Sequence, residues 1–257
     1  MRELLRASVL VAVCLIPALA VAQSKVTIFV GGAMTEPLKE AGAAFERSSG
    51  HTLVYVSDTT GALQKRLAAG EKADLIVVAG PAMDTLQKEN RVVASSRVDL
   101  ARALIGVAVR AGAPSPDLST TETFKAALLK ARSVSYVNPA AGGTSGTYIE
   151  GLLKRLGIAD AVKAKIVYRT LGSAVADAVA DGDAELGITF TSELQQNRGV
   201  KVVGPLPAAI QLPTIYAAAV ATGAGSADAA RALLRGLTGA EWRTTLTKAG
   251  LEPLGPR

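Results

Sequence analysis

The sequence predicts an α/β protein of two lobes, each a three-layer sandwich, joined by a two-stranded hinge. Three observations in its 257 residues carry that expectation. Short β-branched runs alternate with helical patterns at close spacing, which implies parallel strands covered on both faces by helices. The alternation passes what reads as a lobe boundary twice, near 103–106 and near 207–213, and two crossings make a hinge that can close over a ligand. Five Gly, Ser and Thr segments stand where a strand should end and a helix begin: Gly31-Gly32-Ala33, Ser57 to Gly61, Gly142 to Gly146, Leu171-Gly172-Ser173 and Thr189-Phe190-Thr191-Ser192. In open α/β sheets a ligand sits beyond the carboxyl ends of the strands, where these segments fall.

The elements follow in order. Residues 26–30 read as a strand and 36–45 as a helix, with Leu38, Ala41 and Phe45 on one face. Strand 53–56 with helix 62–69, and strand 75–79 with helix 82–88, repeat the unit. The apolar run 104–109 opens what looks like a second copy: helix 124–131, strand 134–137, helix 148–156, strand 166–168, helix 174–180 and strand 186–190. Prolines 205, 207 and 213 break the pattern before strand 214–220, and helices 227–237 and 241–248 close the chain. The expected division is a leader over 1–22, a first lobe of 23–103 plus 208–257, and a second lobe of 104–207.

The leader is read from Arg2 and Arg6, an apolar stretch over 7–21 too short to span a bilayer comfortably, and the small-residue choices Ala18-Leu19-Ala20 and Ala20-Val21-Ala22. A secreted, periplasmic chain starting near Gln23 is expected. The single cysteine, Cys14, lies inside that leader behind Val13, a poor match to a lipoprotein site. The mature chain therefore has no disulfide, thiolate nucleophile or thiol ligand, and with one histidine it has no zinc site. No cofactor is expected. The net charge of +6 is spread singly along helices, and four Phe and one Trp offer few stacking surfaces, so nucleic-acid binding is set aside. A mild positive field that draws in anions suits the charge better.

The five segments carry the chemistry. Each offers backbone N–H groups, hydroxyls and the positive end of a helix dipole, which together form an anion site. The candidate ligand contacts are Gly32, Ala33, Met34, Thr59, Thr60, Gly80, Asn138, Gly143, Thr144, Ser145, Gly146, Arg169, Ser173, Phe190 and Thr191. One of Asp58, Thr59 and Thr60 is expected to cap the helix that follows, leaving a second hydroxyl to face the cleft. Gly142 to Gly146 lacks the Gly-Lys-Ser or Gly-Lys-Thr of a phosphate loop, which argues against nucleotide hydrolysis. His51 sits in a polar turn with nothing beside it to orient it as a base. Asp74, Asp177, Asp181, Asp183 and Glu185 read as solvated or structural.

Phe29 to Lys39, Thr59 to Leu63, Ala73 to Leu75, Gly182 to Phe190 and Lys248 to Pro253 together resemble the molybdate-type family of periplasmic substrate-binding proteins. The resemblance covers essentially the whole mature chain. It implies the type II binding-protein fold, an oxyanion held by hydroxyls and N–H groups, delivery to an ABC permease, and a monomer. Two departures stand out: the family's first-loop serine is replaced by Ala33 and its late tyrosine by Phe190. Both point to a different anion, with Arg169 a candidate bidentate partner for a carboxylate. The substitutions also suit a branch of the family that looks like aconitate isomerase. An isomerase needs a titratable group in the cleft, and Asp58, Tyr136, Tyr148 and Arg169 are nearest by position. Capture of a small oxyanion or di- or tricarboxylate for uptake is the leading expectation, and isomerisation of aconitate is the alternative.

Overall fold

A computed structural model describes residues 23–254, so the leader expected over 1–22 lies outside the described residues. The chain builds two sheets with helices packed on them. The first half begins β1 (Lys25–Gly31), α1 (Gly32–Ser49), β2 (Thr52–Asp58), α2 (Thr60–Ala68), β3 (Leu75–Ala79), α3 (Gly80–Lys88) and β4 (Val98–Ala103). A second set follows: β5 (Ile105–Arg110), α4 (Thr121–Lys130), β6 (Val134–Val137), α5 (Thr144–Arg155), α6 (Ala159–Lys163), β7 (Ile166–Arg169), α7 (Gly172–Asp181), β8 (Leu186–Phe190), α8 (Thr191–Leu194) and β9 (Val200–Pro205). The chain then returns through β10 (Thr214–Val220), α9 (Ala227–Gly236), α10 (Ala240–Lys248) and β11 (Glu252–Pro253).

The first sheet has the order β11-β4-β10-β3-β1-β2 and the second β7-β6-β8-β5-β9. Neither is wholly parallel, which corrects the expectation from strand–helix alternation. The three strands that share helical crossovers pair in parallel in each sheet, β2-β1-β3 and β7-β6-β8. Strands β10 and β4, and β5 and β9, add antiparallel pairs because the chain reaches them by passing between sheets rather than over a helix. Leu104 alone separates β4 from β5, so the run expected at 104–109 belongs to the second sheet and a strand before it went unpredicted. The return passage, 206–213, is tied to the first by Gln211. Its Oε1 accepts from Ile105 N–H at 3.1 Å and its Nε2 donates to Ile105 O at 2.8 Å.

Strands β1, β3 and β10 are apolar on both faces, as buried central strands must be. Val26, Ile28, Val30, Leu75 and Val77 point to one side, where Met34 and Leu38 of α1 lie fully buried. Phe29, Ile76 and Val78 meet Leu63 of α2 and Met83 of α3 on the other. Burying each such side chain contributes about 2 kcal/mol, and together they fix where the strand ends lie. Asp74, just before β3, accepts from Thr27 N–H and Ser226 N–H at 2.8 Å each, the structural role expected of it. His51 accepts from Ser24 N–H at 3.1 Å and stacks on Phe45, which makes it part of the β2 edge.

Candidate functional site

The Gly and hydroxyl segments are themselves first turns of helices. Helix α1 begins at Gly32, α5 at Thr144 and α7 at Gly172, each earlier than its apolar periodicity indicated. None of the three has a side-chain cap. Their leading N–H groups must therefore find acceptors elsewhere, and their dipoles favour negative charge at that point. Helix α2 differs, because Thr59 caps it by accepting from Ala62 N–H at 3.2 Å.

These starts meet. A cavity of about 20 Å³ is lined by Gly32, by Asp58, Thr59 and Thr60, by Gly143, Thr144 and Ser145, by Leu171 and Gly172, and by Phe190, Glu193 and Tyr216. All five segments reach it, from both sheets. Its size suits about one water, so a larger guest requires the two halves to part. They meet directly beside it: Gly61 N–H donates to Gly142 O at 3.0 Å, and the Thr59 hydroxyl donates to Ala141 O. A groove of about 880 Å³ adjoins the cavity, sharing Thr60 and Thr144 and adding Gly80, Tyr148, Arg155 and Leu212. There the Arg155 guanidinium lies 5.1 Å over the Tyr148 ring, and the Tyr148 hydroxyl donates to Ile210 O at 2.7 Å.

The Thr59 hydroxyl is thus occupied twice, as cap and as donor across the halves. Thr60 is its opposite. The Thr60 side chain is buried, its Oγ1 makes no hydrogen bond of acceptable geometry, and the residue lines the cavity. A buried hydroxyl without a partner costs free energy unless something supplies an acceptor.

Sequence reasoning missed two titratable groups of the cavity wall whose chemistry is perturbed. Glu193, the third residue of α8, is buried in the cavity wall. Its carboxyl lies against the first residues of both α1 and α7, since a Cβ at Gly32 or Gly172 would overlap it. Thr189 Oγ1 donates to Glu193 Oε2 at 2.6 Å, and Ser145 Oγ stands 3.2 Å from Thr189 Oγ1. Burial pushes the carboxyl up to about 7, against the lowering influence of the Thr189 hydroxyl and the Phe190 N–H. Tyr216, packed edge-on to Phe190 with centroids 5.8 Å apart, is held well above the usual phenol range by burial and then by the nearby Glu193 charge.

Other expected residues fall elsewhere. Arg169 turns outward, where Nη2 donates to Asp183 Oδ2 at 2.6 Å and Nη1 to Tyr168 O, so it meets no cavity. A strand-end side chain with an acidic neighbour is satisfied on the surface. Ser173 is exposed one residue past Gly172. Asn138 Oδ1 accepts from Ala140 N–H at 2.9 Å as a local cap. Gly146 packs α5 against the Val137 backbone, and the Thr191 hydroxyl donates to Gly250 O at 3.0 Å. Ala33 and Met34 lie on the buried face of α1, outside the lining set. Of the titratable candidates, Tyr136 donates to Glu150 Oε2 at 2.9 Å inside the second half, and Tyr148 lines the groove only. Asp58 does line the cavity, where its Oδ1 accepts from Thr59 N–H at 2.8 Å and its Oδ2 lies 3.5 Å from Arg66 Nε. Among the described residues, no cluster of His, Cys, Asp or Glu is placed to hold a metal ion.

The sequence profile of the bacterial extracellular solute-binding proteins matches residues 26–252. The chain belongs to that family. Within it, the chain is 34% identical over 236 residues to the aconitate isomerase of a Pseudomonas species, a match that covers 89% of this chain and 87% of the relative. It is 25% identical over 207 residues to the molybdate-binding protein ModA of Escherichia coli, covering 80% of each. The periplasmic molybdate-binding protein of Azotobacter vinelandii shares the fold with a TM-score of 0.72 at 19% identity, over 90% of this chain and all (100%) of that one. Solute-binding proteins of this family are therefore the frame for the cavity, and the type II two-lobed fold follows from the same likeness.

Proposed function

We propose that this solute-binding protein takes a small anion between its two halves, in the periplasm, and presents it to an ABC permease. The observation that carries the reading is the convergence on one cavity of three uncapped helix starts and of the Thr60 hydroxyl, which lies beside Tyr216 without a hydrogen bond of good geometry. The guest is a di- or tricarboxylate rather than a bare tetrahedral oxyanion. Ala33 and Phe190 supply no hydroxyl, and the adjoining groove offers the Arg155 guanidinium to a second carboxylate on a longer molecule. Lobe closure by the two passages at Leu104 and 206–213 would complete the contacts.

A second reading is favoured by Glu193. A pure binder needs no titratable group in the cleft, yet this cavity contains a buried carboxyl, and a relative at 34% identity bears the name aconitate isomerase. Isomerisation of an unsaturated tricarboxylate on the same scaffold fits both facts.

A thermal-shift panel of trans-aconitate, citrate, molybdate, tungstate and sulfate, run on the mature chain and on Thr60→Val, tests the binding reading. Stabilisation by the carboxylates, weakened about tenfold in affinity by the substitution, is expected. Stabilisation by molybdate or sulfate alone would remove the carboxylate assignment, and no shift with any anion would remove the site.

A further inference from the structure

Glu193 occupies an unusual place. Carboxylates at the third position of a helix ordinarily reach back to the N-cap N–H, and this one does accept from Phe190. Such caps are normally solvated, whereas this one is buried, lines the ligand cavity and lies against the starts of two further helices. Its titratable neighbours in that cavity are Tyr216 from β10 and Asp58 at the end of β2. Helices α1, α5 and α7 present Gly32, Thr144, Ser145 and Gly172, none of which titrates. On the far side α8 packs through Leu194 against Ala108, Val200 and Val202, an apolar contact. No cation compensates the carboxylate from any of these faces, so the group sits between its two protonation states near neutral pH.

We propose that Glu193 is the proton-transfer residue of this site, acting on an unsaturated polycarboxylate. The proposal rests on the isomerase reading above. With one ligand carboxylate at the α5 start, at Gly143, Thr144 and Ser145, the ionised Glu193, seated against the α1 and α7 starts, removes a proton from a CH2 group flanked by that carboxylate and a C=C bond. The C–H electron pair delocalises over the three-carbon unit into the carboxylate, where the helix N–H groups stabilise the developing charge. The carboxyl proton exchanges with solvent, Glu193 then delivers a proton to the carbon at the other end of the unit, and the double bond has moved by one position. One C–H bond breaks and one forms, no oxidant or reductant takes part, and the carboxyl ends as it began. Reprotonation after rotation in the extended intermediate interconverts trans and cis forms.

The test incubates the full mature chain with trans-aconitate in D2O and follows cis-aconitate and deuterium at the CH2 carbon by proton NMR. It is run with wild type, Glu193→Gln and Glu193→Asp, and with calorimetric binding of trans-aconitate to each. Glu193→Gln keeps the cap acceptor and the volume, so it should bind the ligand at least as well while losing turnover and exchange by 10²-fold or more. Wild-type kcat/KM should rise about tenfold per pH unit and level off near pH 7, a readout that a purely structural role would not move. Turnover by Glu193→Gln within threefold of wild type, or a flat wild-type profile from pH 5 to 8, overturns the assignment while leaving the isomerase. Binding without any turnover in wild type overturns both the isomerase reading and this role, and leaves the binding protein standing. If Glu193→Gln proves unfolded by circular dichroism, the pH profile and the Glu193→Asp rate decide.

Discussion

Glu193 and Thr60 set opposite demands on the same small space: one is a negative charge in waiting, the other a hydroxyl beside Tyr216 with no hydrogen bond of good geometry. Burial raises the folded-state pKa of Glu193 from 4.5 to about 7, so the folded protein prefers the protonated form more strongly than the unfolded chain does. Its contribution is complete below pH 4.5, declines as pH rises through the interval to 7, and is absent above. At 1.36 kcal/mol per unit the full swing is about 3 kcal/mol. The expected outcome is that Glu193→Gln gains stability over wild type as pH increases, by about that amount at pH 8 and little at pH 4.5; urea unfolding across the range measures it. Equal curves for the two proteins would mean the carboxyl is solvated. The sequence exposed Thr60, Thr144, Ser145 and Gly32 because their residue types announce donors. It concealed Glu193, since Thr-Ser-Glu after a strand reads as an ordinary helix start. Only the packing of α1, far back along the chain, and of α7, beyond the intervening strand β8, buries it. Arg169 misled for the converse reason: nearness in sequence to Gly172 says nothing about which way a strand-end side chain turns, and Asp183 draws it outward.

Among the elements, helix α2 of the first half meets the second half through its first turn. Gly61 in its first turn approaches Gly142 so closely that a Cβ on Gly61 would stand 2.9 Å from Gly142 Cα. The residue therefore decides how far the halves can come together. Gly61→Val is expected to keep a melting temperature within a few degrees of wild type, because valine costs the helix no more than glycine does, and to weaken anion binding at least tenfold by preventing closure. Small-angle scattering would show an enlarged radius with ligand present; unchanged affinity would mean that closure does not matter. The strands with strong β-branched runs were legible from the residues. Strand β4 was not, because Asp99 and Arg102 interrupt its apolar pattern, and β9 was obscured by Gly204 and Pro205 at its end. Helices α1, α5 and α7 were found with late starts. Glycine and hydroxyl residues have no apolar periodicity, so the very turns that build the cavity looked like loops.

At the level of the whole molecule, the two halves differ in how the chain completes them. All five strands of the second sheet come from one continuous stretch, 105–205. In the first sheet β10 lies between β3 and β4 and bonds to both, although it is made after the entire second half. A fragment of 104–206 is expected to unfold cooperatively by circular dichroism, and a fragment of 23–103 to show no cooperative transition, since its sheet lacks a middle. Cooperative unfolding of the shorter piece would contradict this. The late arrival of β10 has a bearing on the life of the molecule before it ever meets a guest. Until β10 is made the first sheet has a gap between β3 and β4, whereas the second sheet already has every strand it needs.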